Sequence, residues 1–228
     1  MIFIDEHDRS IGPKCLIIVL FAAAILASAL LMFTDVGKIS DQLGQYRIKG
    51  NVTRQIILLS CLVIYFFRVV IMLFVFFKRK LLWLEALPIS ILMSFLLFAV
   101  AYVGGSKDQS INFIDIIGIL LYLSGSFINS HSEYLRHIWK RKPENKGRLY
   151  TGGWFKYSMH INYFGDIVFF TGLAMMTHTF AGLFIPFFMT LNFVFILIPS
   201  LDKYLEKKYG KEFKDYAKGT KKFIPLIY

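Results

Sequence analysis

Residues 15–33 read CLIIVLFAAAILASALLMF, nineteen in a row without a charge, and residues 56–77 read IILLSCLVIYFFRVVIMLFVFF, twenty-two with one charge at Arg68. A helix needs about 20 mainly apolar residues to cross the hydrocarbon core of a bilayer. Both stretches meet that length, and four more apolar segments follow at 81–102, 111–128, 163–177 and 180–198. The third of the six contains Glu85 and Pro88. Proline removes a backbone donor and clashes with the preceding turn, so this segment reads either as one span or as two short helices.

The rest of the composition agrees. Of 228 residues 56% are apolar and 18% are charged, against about 25% charged in a soluble domain, which excludes an ordinary water-soluble enzyme. The expected fold class is all-α, a polytopic integral membrane helix bundle with six to seven transmembrane helices. No internal repeat or low-complexity linker interrupts it, so residues 1–228 read as a single transmembrane domain. Cys15 and Cys61 sit inside apolar runs, where a thiol serves as a small hydrophobe, and neither a disulfide framework nor a metal site is expected. Ala27-Ser28-Ala29 imitates a signal-peptidase site. The apolar stretch before it is long for a leader, however, and the flank carries Asp5, Glu6 and Asp8 against Arg9 and Lys14, so no cleavage is expected.

The net charge of +11 is concentrated in residues 136–156 and in the tail after Asp202. With six spans and a cytoplasmic N-terminus, 20 of the 26 Lys and Arg face the cytoplasm; with seven spans and an external N-terminus, 19 do. The positive-inside rule therefore places the C-terminus in the cytoplasm either way and does not decide the first helix. No nucleic-acid partner is expected, because base stacking would require aromatics interleaved with the charge, and most aromatics lie in the spans.

Ionisable groups within or bordering apolar spans are costly to bury and mark candidate sites. Tyr65 and Arg68, three residues apart, share a helical face. A phenol beside a guanidinium can donate to a carbonyl while the cation stabilises developing negative charge, or the two can be core packing and a structural pair. Asn129-Ser-His-Ser-Glu133 and Asn162-Tyr-Phe-Gly-Asp166 each set an amide and a carboxylate four residues apart, on either side of the basic connection. An amide can bond a nicotinamide carboxamide and a carboxylate can accept from ribose hydroxyls, which points to an anionic cofactor. Asn162 can equally cap a helix, and Glu133 can pair with Arg136 or His137 along its own helix. Neither a G-x-G-x-x-G nor a P-loop motif is present, and the histidines lack metalloprotease spacing, so no metal is assigned.

The segment Gly125-Ser-Phe-Ile-Asn-Ser-His-Ser-Glu133 resembles the G-x-x-I-N-x-H-S-[DE] pattern of the steroid 5α-reductase family. The resemblance continues through Arg148, Gly152-Gly153-Trp154-Phe155-Lys156-Tyr157, Asn162-Tyr163-Phe164-Gly165-Asp166, Lys208-Tyr209-Gly210, Asp215-Tyr216 and the ending Phe223-Ile224-Pro225-Leu226-Ile227-Tyr228. More weakly, Tyr65-Phe66-Phe67-Arg68 is similar to the family's Y-F-x-R. The resemblance implies an NADPH-dependent oxidoreductase that delivers hydride to the C=C bond of an α,β-unsaturated ketone, on a steroid-like or other apolar lipid drawn from the bilayer. It also implies seven helices, with the loop at 35–54 cytosolic and able to close over the cofactor. In that reading residues 1–104 are the N-terminal helices that enclose the substrate, and 111–228 form the cofactor-binding part.

Carried over residue by residue, the resemblance makes Asn129, Glu133, Arg148, Asn162, Asp166 and Tyr209 cofactor contacts. The arginine after the first motif falls on Lys140 or Arg141, and Arg141 is taken. Tyr65 becomes the donor to the substrate carbonyl. The family's catalytic glutamate before the second helix has no counterpart, since residues 35–54 contain no Glu. Asp41 is the expected substitute, with Asp35 the other acid in the segment. A basic connection around Arg141 and Arg148 suits a 2′-phosphate, hence NADPH over NADH. The competing class is a membrane S-adenosylmethionine-dependent methyltransferase of the isoprenylcysteine type, whose R-H-P-x-Y-x-G signature is partly echoed by His160-Ile-Asn-Tyr-Phe-Gly165. A scaffold without catalysis would bind neither ligand.

Overall fold

The computed structural model describes residues 8–34 and 49–228, and among them it is helical with no regular strand. The order is α1 (Ile11–Phe33), α2 (Val52–Ile71, prolonged by a π-turn at Met72–Phe76), α3 (Trp83–Gly105), α4 (Phe113–Arg141), α5 (Ile161–Met175), α6 (Phe184–Asn192, with a π-turn at Phe193–Leu197), α7 (Ile198–Tyr209) and α8 (Lys211–Gly219). Five helical rods among the described residues have the length and apolarity to cross a membrane, the fifth being Phe180–Tyr209, and Ile161–Met175 is a shorter apolar sixth. A helix is what the bilayer demands, because no water is present there to satisfy backbone N–H and C=O groups. Large apolar side chains point outward along the rods, with Leu84 87%, Phe95 65% and Val19 62% exposed. Such surfaces are unfavourable in water and suited to lipid.

The split at Pro88 does not occur. Trp83–Gly105 is one continuous helix of 23 residues with Pro88 in its second turn, where the ring forfeits a single bond to the carbonyl one turn back. The count is thus six apolar helices among the described residues, the lower end of the expected range.

The chain divides into two compact units. One runs to Ile119 and adds Leu173–Gly182. Within it α1 packs on α3, and α2 packs on both. At one end the buried Lys14 ammonium donates to the Phe77 carbonyl (2.9 Å) and the Leu81 N–H donates to the Ser10 hydroxyl (2.9 Å), tying the start of α1 to the α2–α3 connection. At the other end the Asn51 N–H donates to the Lys107 carbonyl (2.9 Å) and the Gln55 amide to the Gly105 carbonyl (3.0 Å). Asn51 also caps α2 by accepting from the Arg54 N–H (3.1 Å).

The second unit comprises Leu120–Gly172 and Leu183–Tyr228. Here α4 and α5 touch backbone to backbone: the space a Cβ on Gly125 would take is held by Phe169 and Gly165, and a Cβ on Gly165 would stand 2.8 Å from the Asn129 nitrogen. Small residues at such a crossing let helices approach where lipid offers no hydrophobic drive. After α7, Gly210 at φ +54° turns the chain into α8. Phe213 of α8 is buried with Leu149 and Met159 beneath Leu205, Tyr209, Tyr216 and Ala217.

Candidate cofactor site

The close approach at Gly125 and Gly165 decides what comes next along both helices. One turn beyond Gly125, the Asn129 amide donates to the Asn162 carbonyl (2.9 Å) and to Asp166 Oδ1 (3.0 Å). One further turn along α4, Glu133 Oε1 accepts from the Asn162 amide (2.9 Å). The two Asn-carboxylate pairs are therefore interlocked, each asparagine bonding the carboxylate of the other helix. Glu133 is 7% exposed and its second oxygen is paired with Arg136, whose guanidinium lies 5.6 Å from the Phe155 ring. The helical-partner role for Glu133 and the cross-helix role thus coexist. Asn129 spends both amide hydrogens inside the network, and the Oδ1 atoms of Asn129 and Asn162 are acceptors these bonds leave unused.

Toward the end of α4 the groups become cationic. Lys140 donates to the Tyr209 hydroxyl (3.0 Å) and to the Arg148 carbonyl, with its ammonium 4.9 Å from the Tyr209 ring centre. Arg148 is exposed, its Nε 3.9 Å from Glu212 Oε1, the outer limit of ion pairing. The other oxygen of Glu212 accepts from the Leu149 N–H (3.1 Å). Burial pushes the phenols of Tyr150 and Tyr216 up, so both stay neutral, and the Tyr216 hydroxyl donates to the Phe155 carbonyl. The structure brings Asn129, Glu133, Asn162 and Asp166 into one network and joins Tyr209 to Arg148 through Lys140. It does not bring Arg141 in. Both Lys140 and Arg141 are exposed, but one residue turns a helix by about 100°, and it is Lys140 that meets Tyr209 and Arg148.

Tyr65 lies in the other unit and is 8% exposed. Its ring stacks on Phe21 at 6.0 Å, and the Arg68 guanidinium sits 5.5 Å from its centre, so the phenol and the cation do share a face. Asp41 and Asp35 fall outside the described residues.

Some polar clusters went unread in the sequence. In the first unit Arg54 and Asp115 form a bidentate pair, with Nη2 to Oδ2 at 2.8 Å, and His178 Nε2 lies 2.9 Å from the same carboxylate. In the second, the Trp154 indole donates to His131 Nδ1 (2.7 Å). Since an indole can only donate, His131 Nδ1 is the acceptor of that bond.

Residues 71–220 match the family described as protein of unknown function (DUF1295). The chain belongs to that family. It is also similar to 3-oxo-5-alpha-steroid 4-dehydrogenase 2 of Rattus norvegicus, 32% identical over 111 residues, which is 49% of this chain and 42% of the relative. The 3-oxo-5-alpha-steroid 4-dehydrogenase 1 of Homo sapiens is 33% identical over 115 residues, 50% of this chain and 42% of that protein. The steroid 5-alpha-reductase DET2 of Arabidopsis thaliana is 34% identical over 116 residues, again 50% and 42%. The chain spans less than half the length of each of these curated relatives. The family resemblance read from the motifs is thus also found by similarity over half of the chain.

Proposed function

We propose that this chain is an NADPH-dependent membrane oxidoreductase that reduces the C=C bond of an α,β-unsaturated ketone on an apolar lipid or steroid-like molecule entering from the bilayer. The observation that carries the reading is the interlocked network of Asn129, Glu133, Asn162 and Asp166, followed along α4 by Lys140 at Tyr209 and Arg148. That donor set fits a nicotinamide dinucleotide. The unused amide oxygens can accept from a carboxamide, the carboxylates can accept from ribose hydroxyls, and the cations can hold phosphates. NADPH, when bound, supplies the hydride.

The remaining work falls to the chain's own groups. Asn129 and Asn162 orient the carboxamide; Glu133 and Asp166 keep those amides aimed; Lys140, Arg141 and Arg148 neutralise phosphate charge, with Tyr209 beside them. Tyr65 donates to the ketone oxygen as negative charge accumulates there, where a fixed donor contributes most, and Arg68 adds positive potential at the same ring. Asp41 is assigned the place of the family's glutamate. The excess of Lys and Arg in residues 136–156 and in the tail after Asp202 supports a cytoplasmic C-terminus and a cofactor drawn from the cytoplasm.

Titrating NADPH, NADH and S-adenosylmethionine against the detergent-purified protein in a thermal-shift assay tests this, because a ligand that binds only the folded state raises the melting temperature. NADPH is expected to stabilise most and S-adenosylmethionine not at all. Stabilisation by S-adenosylmethionine instead would replace the reductase with a methyltransferase. With an enone lipid in hand, Tyr65→Phe is expected to lower turnover by about a hundredfold at unchanged NADPH affinity; full turnover in that variant removes Tyr65 from the mechanism.

A further inference from the structure

The segment leading into α5 is bonded to the C-terminal tail. The Met159 N–H donates to the Lys221 carbonyl (2.8 Å) and the His160 N–H to the Lys222 carbonyl (3.1 Å), while the Ser158 hydroxyl donates to the Phe223 carbonyl (2.7 Å). Side chains add a second layer. His160 Nε2 lies 2.9 Å from Asp202 Oδ1 on α7, and Asp202 Oδ2 lies 3.1 Å from the Lys222 ammonium. Asp202 thus joins three segments: the lead-in to α5, α7 and the tail. His160 is 1% exposed, and its ring lies flat on Tyr163 (5.7 Å between centres, 9° between planes), which stacks on Phe193 (4.6 Å, 13°). Phe223 is buried beside Phe193 and Ile198, so the tail is anchored on both sides of Lys222.

None of these residues belongs to the interlocked network, yet His160 stands two residues before Asn162. The His160 carbonyl accepts the first helical bond of α5, from the Phe164 N–H (3.1 Å). Any shift of His160 therefore turns or lifts the first turn of α5, which carries Asn162 at its second position and Asp166 one turn on. The Asn162 amide must meet Glu133 at hydrogen-bond distance while its own carbonyl meets Asn129, and two simultaneous bonds to α4 tolerate little rotation.

We propose that His160, Asp202 and Lys222 form a clasp by which the C-terminal tail sets the rotation of the first turn of α5, and through it the aim of Asn162 and Asp166. These three are positioning residues. Their effect on affinity rests on the cofactor reading given above, whereas their effect on α5 does not. A misplacement of about 1 Å at a reacting or binding group costs up to about a hundredfold, so losing the clasp is expected to weaken NADPH binding by at least about tenfold.

The test uses the full chain in detergent with Asp202→Asn, Lys222→Met and Lys222→Arg. Lys222 is 44% exposed in its side chain, so its variants keep the fold even if Asp202→Asn does not. Amide exchange over residues 161–166, without ligand, is expected to accelerate at least about tenfold in Asp202→Asn and Lys222→Met and to stay at the wild-type rate in Lys222→Arg. The Kd for NADPH is expected to follow the same pattern, with kcat for an enone substrate moving less than the cofactor KM. Unchanged exchange in Lys222→Met overturns the clasp. A loosened first turn with unchanged Kd overturns its positioning role. A wild-type protein that binds no NADPH while exchange still responds removes the cofactor reading and leaves the clasp standing.

Discussion

Two polar networks sit on α4, and they are built to opposite specifications. At the first turn Asp115 meets Arg54, and both are 1% exposed. The guanidinium also reaches the carbonyl of Met176 (3.1 Å) and those of Gln109 and Ser110 (3.4 Å each), while His178 takes up the carboxylate from another side. Protein groups enclose this network almost completely. Further along the same helix Asn129, Asn162 and Asp166 are only half-buried, and the bonds that lock them together leave amide oxygens over. A closed network holds the ends of α2 and α4 and the turn after α5 in one unit; an open one holds its members in place for something else. Ionisable residues in apolar helices therefore divide by what encloses them as much as by what they are.

Removing one partner from each network sharpens that division. Asp115→Ala strands the Arg54 guanidinium in a buried site, and breaking a buried pair in this way costs about 3–5 kcal/mol. The melting temperature should fall steeply with or without NADPH. A variant that melts like the wild type would mean the cluster is not closed. Asn162→Ala should act the other way round: NADPH affinity is expected to drop by about tenfold or more, as one to three kcal/mol, roughly, attends a buried acceptor left unpaired at Glu133, with a smaller loss of stability than in Asp115→Ala. Equal stability losses in the two variants would erase the distinction between lock and site. The smallest effect separates neighbours. Lys140→Met should reduce the preference for NADPH over NADH by a few-fold, because Lys140 is held at Tyr209 and Arg148, while Arg141→Met, at an exposed charge, should change it less. The reverse order would make Arg141 the stronger phosphate contact of the two.

The spans and the two Asn-carboxylate pairs were legible because each depends on spacing within one segment. Nineteen uncharged residues can only be accommodated one way in this composition, and a separation of four residues puts an amide and a carboxylate on one face whatever else happens. That the pairs would interlock was not legible, since it depends on the glycine contact that brings α4 and α5 together. Pro88 misled because a proline's cost is one hydrogen bond, and the helix absorbs it near its start. Arg54 and Asp115 are 61 residues apart, and His160, Asp202 and Lys222 come from three separate segments. Such partners are set by tertiary packing, and no local pattern announces them. The Lys140 and Arg141 alternatives differed by a rotation of about 100°, which only the tertiary placement of Tyr209 and Arg148 beside Lys140 could decide.

Gly125 and Gly165 carry no functional group, yet they govern the separation on which every bond between Asn129, Glu133, Asn162 and Asp166 depends. Mutagenesis directed at the network will therefore find two sensitive positions that bear no side chain at all, and a designer wishing to retune its geometry has a spacing dial there before touching any polar residue. Selection has the same handle: a single added methyl group, placed at a helix crossing and not on a polar residue.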